Sequence, residues 1–249
     1  MNLIWEIVDS DIQKIKTFYT NQKNKSFVKN RIERNIGGNR PAFTESIFWK
    51  SMISCLLTTQ QRSGPDSAVT KFISTSPFPL TLSACKKTKN VSELVKSTIQ
   101  QFGSIRRGEM IGQEVFSNYN WLENGGWKII LLHIEDIISN SSVHKERTAA
   151  EIIISNMKGF GPKQSRNLLQ SLGIAKYEIP IDSRITKWLN NFGFPIKLSA
   201  TALSDNNYYN FVSDGFQKLC KKCNIYPCVM DAAIFASYDK EWPKDKLVW

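Results

Sequence analysis

Lys158-Gly159-Phe160-Gly161-Pro162-Lys163 is the stretch from which the architecture of this 249-residue chain is read. Before it, Ala149-Ala150-Glu151-Ile152-Ile153-Ile154-Ser155-Asn156-Met157 has the pattern of a helix with its apolar residues toward a core. Gly159 and Gly161 are read as positions of positive φ, where the missing Cβ lets the backbone approach another molecule closely. Pro162 suits the first position of a new helix, where its fixed φ helps and its missing N–H is no loss. Leu168, Leu169 and Leu172 then recur at helical spacing, and Gly173 supplies a stop. The expected unit is a helix, a tight bare turn and a second helix. Free N–H groups at the start of the second helix, at the positive end of its dipole, would suit an anionic phosphate. A Gly-x-Gly turn taken alone equally fits a plain connection between two helices.

The context of the turn narrows the choice. Met157-Lys158-Gly159-Phe160-Gly161-Pro162-Lys163-Gln164-Ser165, a helix to Gly173, and then Ile179-Pro180-Ile181-Asp182-Ser183-Arg184-Ile185 resembles the helix-hairpin-helix DNA glycosylase superfamily, in which the hairpin is followed by an essential Asp. In bifunctional members, such as endonuclease III and the 8-oxoguanine glycosylase/lyases, a Lys stands two residues after the second hairpin Gly, as Lys163 does here. Leu56-Leu57-Thr58-Thr59-Gln60 is similar to the family's early helix ending in a Gln that probes the duplex. The resemblance runs over residues 43–240 in order and spacing, and its specific part is the segment from hairpin to Asp.

The resemblance implies a bifunctional DNA glycosylase/AP lyase of base-excision repair. It would remove an oxidised purine, 8-oxoguanine, through a Lys Schiff base and β-elimination. Lys163 would attack the anomeric carbon, and Asp182 would stabilise the cationic sugar or move protons. Gly159, Phe160, Gly161, Gln60, Gln61 and Arg184 would meet DNA, with Arg184 standing where relatives often carry His. Asp231 lies in Pro227-Cys228-Val229-Met230-Asp231-Ala232, where 8-oxoguanine lyases carry an acidic residue near the base pocket. The implied partner is double-stranded DNA with a damaged base or an abasic site, met by a monomer. Two alternatives stay open: an endonuclease III-like enzyme for oxidised pyrimidines, and a non-catalytic DNA-binding protein that uses the hairpin only for phosphate.

Chemistry supplies its own reasons for these residue types. Cleaving an N-glycosidic bond requires support for positive charge on the sugar, and opening the strand afterwards requires an amine that forms a Schiff base. A Lys is protonated at neutral pH unless desolvation or nearby positive charge lowers its pKa from about 10.4. The plainer reading makes Lys163 a solvated first-turn residue and Asp182 the N-cap of the helix that follows. Phe160 is read as an anchor into the protein, and Asp231 as a charge favoured in a helix's first turn.

Composition agrees with an anionic partner. Lys and Arg number 33 against 22 Asp and Glu, a net charge of +11, and the sequence pI is about 9.4. The excess is spread along the chain, so salt-sensitive contact with backbone phosphates is expected rather than a basic tail. No apolar run reaches membrane-spanning length, and the first residues lack the pattern of a signal peptide. The expected location is cytoplasmic, nucleoid-associated in a prokaryote, with no membrane partner.

The fold class expected is all-α: two helical bundles flanking a DNA-binding cleft. Helices are read over 47–57, 66–73, 91–102, 109–119, 127–138, 206–223 and 227–238. A short strand pair around residues 3–8 and 26–32 is a further expectation. By resemblance, 43–176 forms a six-helix barrel carrying the hairpin, and 1–42 joins 177–249 in a second helical domain.

Cys220, Cys223 and Cys228 cluster as in iron–sulfur members of the superfamily. A fourth ligand is missing and no His is near, so the reading is reduced structural thiols, with no metal and no cofactor. His133 and His144, the only histidines, sit with no nucleophile in a recognisable spacing. Phe48, Trp49, Trp188, Phe216, Phe235 and Trp249 supply aromatic faces that serve a core as well as a base pocket.

Overall fold

The computed structural model describes residues 4–61 and 63–238, and every helix expected from periodicity is present. In chain order the helices are α1 (Asp9–Gln22), α2 (Ser26–Arg31), α3 (Glu45–Leu57), α4 (Ala68–Ile73), α5 (Leu82–Lys87), α6 (Val91–Phe102), α7 (Gly108–Trp121), α8 (Trp127–Ser139), α9 (Val143–Asn156), α10 (Pro162–Ser171), α11 (Ser183–Phe192), α12 (Asn206–Cys223) and α13 (Pro227–Tyr238). Among the described residues there is no strand. Several starts follow from capping chemistry: the side chains of Thr44, Ser67, Thr81, Asn90, Ser142, Asp182 and Asp205 each accept from an N–H of the first turn.

Two hydrophobic cores organise these helices. The first is built wholly from residues between Phe48 and Ala175, around α3, most of whose residues from Phe48 to Leu57 are buried. Phe48, Trp49, Met52, Ile53, Leu56 and Leu57 are fully buried, and the Trp49 indole N–H donates to the Leu80 carbonyl at 2.9 Å. Helices α6 and α7 close one side of it at short range, because a Cβ at Gly112 would lie 2.7 Å from the Ser92 carbonyl oxygen. The second core joins both ends of the described chain, with Ile15, Phe27 and Val28 packed among residues from Ile179 to Ala236.

The strand pair does not form. Phe27, Val28 and Arg31 recur at helical spacing, and all three are buried on α2, where the Phe27 ring stacks on Phe235 at 4.3 Å. Residues 4–8 run as irregular chain, held by Trp5 against Phe194 and Phe211. Leu3, and the aromatic Trp249 named above, lie outside the described residues. Helix α4 begins at Ala68 rather than at residue 66, because Ser67 takes the capping role.

The cysteines are all free and buried. Burial pushes the Cys228 thiol up to about 12. Among the described residues no three His, Cys, Asp or Glu side chains are grouped to hold a metal ion. No described helix is long and apolar enough to cross a membrane.

Candidate functional site

The turn between α9 and α10 is pinned from beneath by α7. Asn118, fully buried, accepts the Lys158 N–H through Oδ1 at 2.6 Å and donates through Nδ2 to the Lys158 carbonyl at 3.0 Å. Gly159 has φ +82°, and a Cβ there would lie 2.5 Å from Leu56 Cδ2 and 2.9 Å from Glu114 Cδ. Both conformation and space therefore require glycine. Phe160 is buried in the first core, so its ring is not presented to solvent.

Gly161 departs from the expected positive φ. It is the N-cap of α10 with φ −98°, the extended conformation that a cap adopts. A Cβ there would meet nothing within 4 Å. No side chain caps this helix start, so no side-chain acceptor is supplied for its first N–H groups.

Gly161, Lys163, Asp182 and Asp231 all line one cleft of about 1750 Å³, whose walls come from both cores. Lys163, the second residue of α10, is partly buried, and its Nζ donates to Gln164 Oε1 at 3.2 Å. Gln164 is in turn fixed by donating to the Cys55 carbonyl and Thr59 Oγ1, both at 2.6 Å. Burial is the main influence on Lys163 and lowers its pKa below the ordinary lysine value; Asp182 is the strongest opposing charge and Arg184 adds to the lowering. The neighbouring Cys55 thiol is pushed up to about 12 by burial, so it is neutral at physiological pH.

Asp182 caps α11. Its Oδ1 accepts the Arg184 and Ile185 N–H groups at 2.8 and 3.0 Å, and its Oδ2 pairs with Arg184 Nη1 at 3.0 Å. The Arg184 guanidinium also lies over the Phe235 ring, 4.2 Å from its centroid. Upstream, the buried Glu146 carboxylate accepts the N–H groups of Lys176, Tyr177 and Glu178 at 2.8–2.9 Å and so fixes the segment that leads to Asp182.

Asp231 is not a first-turn charge: it is the fifth residue of α13 and is buried. Its Oδ2 accepts from Arg31 Nη1 at 2.9 Å and from Gln170 Nε2 at 2.8 Å. Burial raises its pKa, and the Arg31 charge acts against that rise. A buried charge needs such partners.

The two glutamines at the end of α3 behave differently. Gln60 is exposed on the cleft with φ +56°. Gln61 is occupied within the protein: its Nε2 donates to the Leu57 carbonyl, and its Oε1 accepts the Arg106 N–H at 2.9 Å.

The cleft also contains residues that the sequence reading passed over. Asn167 and Gln170 lie one and two turns beyond Lys163 on the same face of α10, a spacing legible in advance. Arg31 and Cys55 reach the cleft from distant parts of the chain, and no local pattern announces them.

Three solved structures share this fold. The 8-oxoguanine DNA glycosylase of Methanocaldococcus jannaschii superposes with a TM-score of 0.68 at 17% identity, over 94% of this chain and 98% of that one. The M. jannaschii 8-oxoguanine glycosylase/lyase in complex with a 15mer DNA containing 8-oxoguanine gives 0.66 at 15% identity, over 93% and 100%. The 8-oxoguanine DNA glycosylase of Thermotoga maritima gives 0.62 at 13%, over 94% and 99%. At these identities the likeness establishes the fold. By sequence, an 8-oxoguanine DNA glycosylase/AP lyase of Thermoplasma volcanium is 28% identical over 95 residues, which is 38% of this chain and 43% of that protein. No protein-family model matches the chain.

Proposed function

We propose that the chain is a bifunctional DNA glycosylase/AP lyase of the helix-hairpin-helix superfamily that excises 8-oxoguanine from double-stranded DNA. The observation that carries this reading is Lys163: a partly buried amine with a lowered pKa, in one cleft with the Asp182 carboxylate. The fold shared with three 8-oxoguanine glycosylase structures supports an oxidised purine as the substrate over an oxidised pyrimidine. In this reading residues 43–176 are one domain and 1–42 with 177–249 the other, a division supported by the two separate cores. The net charge of +11 supports contact with the phosphate backbone, made by a monomer in the cytoplasm.

The uncapped start of α10 and the bare Gly161 bind a backbone phosphate. The damaged nucleotide leaves the stack and enters the cleft beside Lys163 and Asp231. As the N-glycosidic bond lengthens, its electron pair leaves with the base and positive charge grows on the sugar; the Asp182 carboxylate stabilises that charge. The neutral Lys163 Nζ bonds to C1′. The aminated sugar opens to a Schiff base as one Nζ proton passes to the ring oxygen O4′; the base anion released in the first step takes a proton from C2′, and the 3′ phosphate leaves by β-elimination.

Residue roles follow the same geometry. Gly159 and Phe160 set the shape of the hairpin, Gln60 is the exposed glutamine that meets the duplex, and Arg184 steadies Asp182. Gln61 acts indirectly by closing the end of α3. The test is excision from duplexes that each carry one lesion. Release of 8-oxoguanine with strand nicking is expected, at least tenfold faster than release of an oxidised pyrimidine, roughly the discrimination available from pocket contacts. Preference for the pyrimidine, or release of neither, would overturn the assignment.

A further inference from the structure

Arg166 carries a full charge on α10 yet has no exposure at all, and the Tyr209 ring that stacks beneath it, 4.7 Å from the guanidinium carbon, is equally buried. Arg166 Nη1 donates to the Pro162 carbonyl at 3.2 Å, at the first turn of α10 next to Lys163. Its Nε donates to Glu178 Oε2 at 2.8 Å, and its Nη2 to Asn210 Oδ1 at 2.6 Å. The Tyr209 hydroxyl accepts the Ile181 N–H at 2.6 Å and donates to the Ile179 carbonyl at 2.8 Å, immediately before Asp182. The fully buried Glu178 is shared with Arg147, which reaches it from α9 at 2.8 Å and also pairs with Asp214 on α12. One contiguous unit therefore touches the turn that carries the amine and the segment that carries the carboxylate.

Stability alone is a poor reason for such a unit. Desolvating an Arg–Glu pair offsets most of its attraction, and apolar replacements are often neutral or better. What the unit supplies is a fixed relation between two backbone segments drawn from the two cores. We infer that Arg166 and Tyr209 are positioning residues that set the approach of Lys163 to Asp182, a deepening that rests on the glycosylase/lyase reading. Neither side chain lines the cleft, so both act through the groups they hold.

Two hydroxyl deletions separate positioning from plain support. Tyr209→Phe keeps the ring beneath Arg166 and loses both bonds to the segment before Asp182. Ser213→Ala removes another buried hydroxyl of the same network, which donates to Glu178 Oε1 at 3.4 Å and accepts from Gln217 Nε2 at 3.0 Å, with its hydrogen bonds directed away from the 162 turn and residues 179–181. Each is compared with wild type for unfolding midpoint, affinity for a lesion duplex, and single-turnover strand cleavage across pH. Expected for Tyr209→Phe are unchanged duplex affinity, a cleavage rate lowered about tenfold or more, and a displaced pH profile, while Ser213→Ala loses comparable stability and keeps the wild-type rate and profile. Equal rates in both variants, or rate losses that simply follow stability, would overturn the inference; an inactive wild type would instead count against the glycosylase/lyase reading on which it rests.

Discussion

Arg184 holds both oxygens of Asp182: its backbone N–H lies 2.8 Å from Oδ1, and its Nη1 lies 3.0 Å from Oδ2. The carboxylate is therefore oriented before any substrate arrives, and one side chain serves as helix cap and as the proposed electrostatic partner of the sugar. The two duties separate by substitution. Asp182→Asn keeps a competent cap and should unfold within about 1 kcal/mol of wild type, whereas Asp182→Ala loses the cap and about 1 kcal/mol more. The partly exposed ion pair adds little in either case. Base release should fall sharply in both. Chemical denaturation beside an excision assay checks this, and an active Asn variant would remove the carboxylate from the mechanism.

Lys163 should make the folded protein less stable than a neutral side chain would. Its folded pKa is lowered, so below that value the folded state bears a charge that the unfolded chain accommodates better. Between the folded and unfolded values the unfolded state binds more protons, and stability rises with pH. Lys163→Gln should therefore unfold at higher denaturant than wild type at neutral pH, with an advantage that shrinks as pH climbs toward the unfolded lysine value. Paired denaturation curves at pH 7 and pH 10 test the sign.

The hairpin glycines should respond in opposite ways. Gly159→Ala imposes a left-handed conformation on a residue with Cβ, at about 1–2 kcal/mol, before the Leu56 contact is counted. Gly161→Ala has neither problem and should cost only the N-cap preference for glycine over alanine, under about 1 kcal/mol. Its added methyl sits in open space at a residue that lines the cleft, so duplex affinity should drop by more than stability does. Melting temperature and duplex titration measure the two effects independently.

Much of this was legible in the sequence for identifiable reasons. The boundaries of α6 and α12 fall on Asn90 and Asp205, whose side chains are the caps, and α10 follows a Gly-Pro start. Lys163 and Asp182 could be picked out because the segment from hairpin to Asp resembles a known family, and the residues that carry that resemblance lie close together in sequence. Helices α2 and α5 are only six residues each and, unlike the equally short α4, follow no Gly-Pro break that marks a start; α2 is set by Phe27 stacking on a ring from the far end of the chain. The plainer reading of Asp231 as a first-turn charge failed because a carboxylate in a helix suggests a dipole contact, whereas its partner Arg31 lies 200 residues away. Arg166 and Glu178 gave no signal, since charged residues ordinarily imply surface and these two bury each other.

The central claim is that the Lys163 amine becomes covalently joined to the sugar, and borohydride trapping reads that bond directly. Wild-type protein incubated with an 8-oxoguanine duplex and borohydride should yield a protein–DNA adduct whose formation quickens as pH rises and the amine loses its proton. Lys163→Gln should yield none while still binding the duplex. An adduct that persists in Lys163→Gln would place the nucleophile on another residue, and its absence from wild type at every pH would contradict the account.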